Sequence, residues 1–172
     1  MPYNFKLKIP KKEIKPCAKR YSYNNEYIMR TKIAPKIQKQ KYLTKDDLIF
    51  ICRWKSPRIT PLAKQNDESL IKEVTSISLT TKNDILSIGV LLILKGVSWP
   101  VASVILHFGK KNLYPILDYR ALWSVGIKKP NVYNFDLWIS YIKYCRKLAK
   151  ELNISMRTLD KALWQYSKER QK

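Results

Sequence analysis

The stretch Ile88–Gly109, IGVLLILKGVSWPVASVILHFG, is the apolar part of the chain that most limits how it can fold. Its length would suit a membrane-spanning helix. Lys95 stands near its centre, however, and Gly96, Ser98 and Pro100 follow as a turn signal. A central charge is costly inside a bilayer, and a helix does not run unbroken through Gly-Val-Ser-Trp-Pro. The run therefore reads as two buried helices joined by a tight turn, with no membrane partner. Gly96 supplies a backbone conformation that most residues avoid. Val97 plugs down between the helices, and Ser98 opens the second one. Pro100 falls in that helix's first turn, where a missing N–H does no harm. Ala102 is small enough for close helix–helix approach.

Helix signals dominate the rest of the chain from Thr44 onward. Thr44 is a good N-cap, with Asp46 and Asp47 in the first turn where negative charge suits the dipole. That helix runs to about Trp54, and a loop over Lys55–Asn66 carries Pro57 and Pro61. Asp67–Leu79 places Leu70, Ile71, Val74 and Ile77 at helical spacing. Thr81 or Asn83 caps the next helix, and Ser98 the one ending near Gly109. Asp118 starts a helix that stops at Gly126, a suitable C′ glycine. Asn134–Leu152 is a long amphipathic helix, and Ser155 caps the last. The expectation is an all-α fold: a compact multi-helix bundle over residues 43–172, without a convincing strand.

Residues 1–42 read differently. Lysines and arginines there oppose only Glu13 and Glu26, tyrosines are interleaved, and Pro10, Pro16 and Pro35 interrupt any long helix. The expectation is a basic N-terminal arm with at most a short ordered segment near Tyr21–Arg30. Two readings of the tyrosines stand side by side: stacking on unpaired bases, or anchoring an arm that wraps the domain.

Charge sets the partner. Thirty-four Lys and Arg face 13 Asp and Glu, a net charge of +21 over 172 residues. Such an excess points to a polyanion, nucleic acid first, because each neutralised phosphate releases counterions. A Lys-rich surface with no such role is the plainer alternative. Cys17, Cys52 and Cys145 are scattered and odd in number, so neither a disulfide framework nor a metal site is indicated. No signal peptide is visible. The expected setting is intracellular, in the cytoplasm or on the nucleoid, with no metal and no cofactor. The N–H groups freed at the start of the helix after Lys95, Gly96, Val97, Ser98 and Trp99 form an anion site suited to a DNA phosphate. An ordinary helical hairpin inside the core explains the same turn.

The segment behind the hairpin adds a second element. Leu113-Tyr114-Pro115-Ile116-Leu117-Asp118-Tyr119-Arg120 follows the second helix. Here the chain resembles the helix–hairpin–helix–GPD superfamily of DNA glycosylases, the group containing endonuclease III. The shared pattern is the hairpin at Leu94 to Ser98, the helix over Val101–Phe108, a proline loop at Pro115, and Asp118 in the register of the family's aspartate. The resemblance covers roughly Ile85–Gly126. It implies that Asp118 is the catalytic carboxylate as well as a helix cap. Three departures stand out. Ser98 replaces the hairpin's second glycine. Pro100 stands where bifunctional members carry a lysine, so Schiff-base lyase chemistry is not expected. The four-cysteine cluster of some members is missing.

Other residues carry paired readings. Arg53 and Trp54, in Cys52-Arg53-Trp54-Lys55-Ser56-Pro57-Arg58, suit a wedge beside an extruded base, or a core anchor edged by cations. His107 reads as a structural histidine or a general acid. Trp164 and Gln165 on the last helix suit a base pocket, or a core tryptophan beside a surface glutamine. Arg120 suits a phosphate contact or an ion pair. The sequence thus supports a monomeric, monofunctional base-excision glycosylase acting on double-stranded DNA. A non-catalytic helix–hairpin–helix DNA-binding protein is the main alternative, since the domain is short for the family's two-lobed architecture. A structural interaction module is the third.

Overall fold

The computed structural model describes residues 3–24, 26–128 and 130–171. Among them the chain is all-helical, with no strand. The α-helices in chain order are α1 (Ile14–Arg20), α2 (Glu26–Ile28), α3 (Ala34–Gln40), α4 (Lys45–Lys55), α5 (Thr60–Ala63) and α6 (Glu68–Thr80). They continue as α7 (Asp84–Gly89), α8 (Trp99–Gly109), α9 (Tyr119–Ser124), α10 (Phe135–Glu151) and α11 (Met156–Arg170). Short 3-10 turns occupy Lys11–Glu13, Pro57–Ile59 and Val90–Ile93, and Met29–Ile33 forms a π-helical turn.

The helix starts follow the local chemistry. Thr44 and Asp47 form a reciprocal capping box: the Thr44 hydroxyl accepts from the Asp47 N–H, and the Asp47 carboxylate accepts from the Thr44 N–H at 3.0 Å. Asn83 accepts from the N–H groups of Ile85 and Leu86, and Asn134 from that of Leu137. The Ser155 hydroxyl accepts from the Thr158 N–H at 3.0 Å. Each such cap satisfies donors that the helix cannot, and contributes about 1 kcal/mol. The apolar run divides where its turn signal falls. α7 ends at Gly89, the Val90–Ile93 turn follows, and α8 begins at Trp99. No helix among the described residues is long and apolar enough to cross a membrane.

The chain divides into two compact units. The middle unit is Tyr23–Lys111. Its α8 is buried from Val101 to Gly109 and packs against α3, α4, α6 and α7. Met29, Ile37, Leu48, Ile51, Ile71 and Ile88 complete this core. The terminal unit combines Met1–Ser22 with Asn112–Lys172. Its centre is α11, which packs against α1, α9 and α10. Trp138 and Tyr141 are its largest fully buried side chains. Burying groups of this size contributes roughly 2–3 kcal/mol each.

The expected arm differs from what is found. Of residues 1–42, those at 1, 2 and 25 lie outside the described residues. The others are largely folded, in α1, α2, α3 and the turns beside them. Ile9, Ile14 and Cys17 are buried in the terminal unit, and Met29, Ala34 and Ile37 in the middle unit. Pro10 precedes the first 3-10 turn, Pro16 falls in the first turn of α1, and Pro35 in the first turn of α3. Pro10 and Pro16 stand at the start of a helical run, where a missing N–H costs little, whereas Pro35 follows directly on the Met29–Ile33 π-turn inside an unbroken helical run from Glu26 to Gln40. Ahead of them, residues 3–8 carry no helix, and the N–H groups of Lys6 and Lys8 donate to the carbonyls of Val125 and Ser124 at 2.8 and 2.9 Å. The boundary expected at residue 42 is absent from the contact pattern. The units divide instead after Ser22 and after Lys111.

Candidate nucleic-acid interface and catalytic carboxylate

The middle unit holds the turn between Leu94 and Trp99. Gly96 has φ +80, and the Val97 N–H donates to the Leu94 carbonyl at 3.0 Å. Val97 is buried, while Lys95 and Ser98 are exposed and Trp99 is half-buried. A Cβ on Gly96 would lie 3.0 Å from the Ala63 nitrogen and 3.1 Å from the Ile59 carbonyl oxygen. Both are backbone atoms, so glycine is required twice, by conformation and by close approach.

Asn66, at the end of the segment expected as a loop, fixes this turn. Asn66 is buried. Its Oδ1 accepts from the Lys95 N–H at 2.8 Å, and its Nδ2 donates to the Lys95 carbonyl at 2.9 Å and to the Ala63 carbonyl at 2.9 Å. The Lys95 N–H is therefore committed and takes no part in an anion site. Among the described residues, the N–H groups of Gly96 and Ser98 have no hydrogen-bond partner. The Ser98 hydroxyl makes no capping bond. These two N–H groups stand at the positive end of α8, and the Lys95 ammonium lies on the exposed part of the same turn.

The remaining candidates in this unit are structural in their placement. Trp54 lies against Tyr23 and Phe108, with ring centroids 4.9 and 5.8 Å away. Its indole N–H is buried and makes no hydrogen bond. The ring is thus an anchor of the core, and Arg53 beside it is exposed. His107 is buried on α8, edge-on to Phe108 at 4.9 Å.

Asp118 belongs to the terminal unit. It is half-buried, and its Oδ1 accepts from the Arg120 N–H at 2.8 Å as the cap of α9. The segment leading to it is pinned from beneath. Asp160 Oδ1 accepts from the Ile116 N–H at 3.1 Å, and the Tyr141 hydroxyl donates to the Ile116 carbonyl at 3.4 Å. Complete burial holds the Tyr141 phenol well above its usual range, so it stays a donor. The far end of α9 is fixed as well. The Ser124 hydroxyl donates to the Leu163 carbonyl at 2.6 Å, and Gly126, at φ +83, ends the helix beneath the Lys6 backbone. The carboxylate therefore sits on a loop and helix held at both ends.

Aromatic rings surround Arg120 on α9. The Arg120 guanidinium lies 5.2 Å from the Tyr119 ring and 5.8 Å from the Trp164 ring. Trp164 also meets Tyr21 edge-on at 5.2 Å. Tyr133, which sequence reading did not single out, is half-buried. Burial, followed by the Asp118 charge, raises its phenol above the usual value. It remains protonated and within electrostatic reach of the carboxylate. Nothing local marks this tyrosine in its polar loop.

Gln165 lies elsewhere in the unit. It is buried, its Nε2 donates to Glu169 Oε1 at 2.8 Å, and its Oε1 is closed to solvent without a partner. Glu169 in turn takes a two-pronged grip from Arg20, at 2.9 and 2.8 Å. That grip is the main cause holding the Glu169 carboxyl down at about 2. Gln165 is thus part of the tie between α1 and α11, and presents no open edge to a base.

Among the described residues, no group of three or more His, Cys, Asp or Glu side chains could hold a metal ion. All three cysteines are buried. No protein-family model matches the chain, and no curated protein matches it either.

Proposed function

We propose that the chain is a monofunctional base-excision DNA glycosylase that grips a duplex through the turn at Lys95–Ser98 and hydrolyses an N-glycosidic bond with Asp118. The observation that carries this reading is a carboxylate fixed at a helix start, on a loop pinned by Asp160 and Tyr141, in register behind a glycine turn of positive φ. A reaction that builds positive charge on a sugar needs such a preorganised anion.

In this mechanism the bond from the sugar C1′ to the base nitrogen breaks, and its electron pair leaves with the base. The Asp118 carboxylate stabilises the oxocarbenium-like charge. A water oxygen then bonds to C1′, and its proton passes to the carboxylate. The role of Asp118 as a cap does not remove it from this chemistry, because one oxygen accepts the Arg120 N–H while the charge is shared by both. Pro100 carries no primary amine, so strand cleavage through a Schiff base is not expected. The net charge of +21 supplies sequence-independent affinity. The reading further places the chain inside the cell, as a monomer on double-stranded DNA.

One observation favours a second reading, a DNA-binding protein without base chemistry: the capping bond from the Arg120 N–H to Asp118 is itself a sufficient use for this carboxylate. A panel of duplexes, each carrying one modified base, separates the two. Wild-type protein is expected to leave an alkali-labile site with at least one base. Intact strands throughout the panel, combined with tight duplex binding, support the second reading.

A further inference from the structure

The terminal unit contains a groove that the proposed chemistry does not use. Its volume is about 520 Å³, and it is bordered by Lys15 and Lys19 from α1 and by Ser155, Arg157, Thr158 and Lys161 at the start of α11. Four cations and two hydroxyls thus converge on one concavity, and no carboxylate lines it. The nearest acid on the same helix is Asp160, which is buried and turned inward. Its Oδ1 accepts from the Ile116 N–H, and its Oδ2 pairs with Arg157. Arg157 is also fixed from the side, by a bond to the Tyr21 hydroxyl at 3.3 Å and by standing 5.1 Å from the Tyr21 ring. The guanidinium is therefore held in place, while exposed Lys15 and Lys19 supply uncommitted reach from the opposite wall. Like charges repel when gathered around a concavity, and an anion placed among them removes that cost. The positive end of the α11 dipole adds to the same field.

We propose that this groove binds a run of phosphate groups. The chemistry fits two sources: the terminal phosphates of a free polyphosphate compound, or successive phosphates of a nucleic-acid strand. The Ser155 and Thr158 hydroxyls lie 2.9 Å apart and share one hydrogen bond, which leaves one hydroxyl proton for a phosphate oxygen, and the Arg157 guanidinium, engaged by Asp160 and Tyr21, adds fixed positive charge. The proposal stands apart from the excision reading, since it uses neither Asp118 nor the Lys95–Ser98 turn.

The test uses the full chain and two probes at about 0.1 M salt: inorganic tripolyphosphate, and an undamaged duplex titrated against salt. Lys15→Gln/Lys19→Gln is compared with wild type and with Lys143→Gln/Lys150→Gln, a pair of exposed lysines on α10. All four lysines are exposed, so both variants should melt close to wild type. The proposal expects the groove variant to lose roughly tenfold or more in affinity for at least one probe, with the α10 variant much less affected. Loss confined to tripolyphosphate identifies a free polyphosphate as the occupant. Loss on the duplex, with a salt slope reduced by roughly 0.9 per lysine removed, identifies a strand. Unchanged binding of both probes, or equal losses in the two variants, would overturn the proposal. Neither outcome bears on base excision, which is read separately from alkali-labile sites.

Discussion

The middle and terminal units make their candidate sites from different materials. In the middle unit, the turn at Lys95–Ser98 is a backbone device. Gly96 at φ +80 lies against the backbone of Ile59 and Ala63, and Asn66 clasps both polar groups of Lys95. In the terminal unit the candidate groups are side chains: Asp118 on its pinned loop, and a groove of lysines and arginine on α1 and α11. The difference teaches where each site is vulnerable. A backbone device fails by unfolding when a side chain is added. A side-chain device loses chemistry while the fold survives.

The largest expected effect breaks the backbone device. Gly96→Val forces a β-branched residue to positive φ and drives its Cβ into two backbone atoms. It should cost about 3 kcal/mol or more, read as a lower urea midpoint. The consequence for function is that Gly96 variants report folding, so duplex binding through the turn is better probed at Lys95. Next comes Asn66→Ala, which leaves the Lys95 N–H and carbonyl without their partner. About 2 kcal/mol is expected by the same measurement. A loss below about 0.5 kcal/mol would show that the clasp is incidental.

These two positions also show what a single sequence conveys. Gly96 was legible, because Gly followed by Val-Ser-Trp-Pro between apolar runs has a local meaning. Asn66 was not, since its partners lie 29 residues away and no local signal distinguishes it from any loop asparagine. Helix starts from Thr44 onward were readable for the same reason as Gly96: a cap acts within three residues. In the first 42 residues the prolines suggest breaks, yet the chain is helical around them. The spacing of Ile14 with Cys17, and of Ala34 with Ile37, carried the helical signal instead. Around Asp118, the cap was readable, whereas Tyr141 and Asp160 required the tertiary fold to bring them to the loop.

Smaller effects belong to the terminal unit. Asp118→Ala should cost about 1 kcal/mol through loss of the α9 cap, and Asp118→Asn no more than a few tenths, because asparagine caps equally well. The tie between α1 and α11 should appear in acid. The Glu169 carboxyl sits at about 2, below its ordinary 4.5, mainly because Arg20 grips it. A depressed carboxyl adds stability that is fully present above its unfolded value and is lost as pH falls through the folded one. Wild-type melting temperature should therefore decline between pH 4.5 and about 2 in part through this group. Glu169→Gln should flatten that part of the decline and be less stable near neutrality. An acid profile identical to wild type would remove Glu169 from the tie.

The central claim is that Asp118 does two separable things, capping a helix and stabilising charge on a sugar. Asp118→Asn isolates the second, since the cap survives and the charge does not. The decisive measurement is the single-turnover rate of base release from the best duplex of the panel, taken on wild type and Asp118→Asn with both melting curves in hand. The account predicts superimposable melting and a rate at least about a hundredfold lower in the variant. Equal rates at equal stability would contradict it, and would leave Asp118 a helix cap and nothing more.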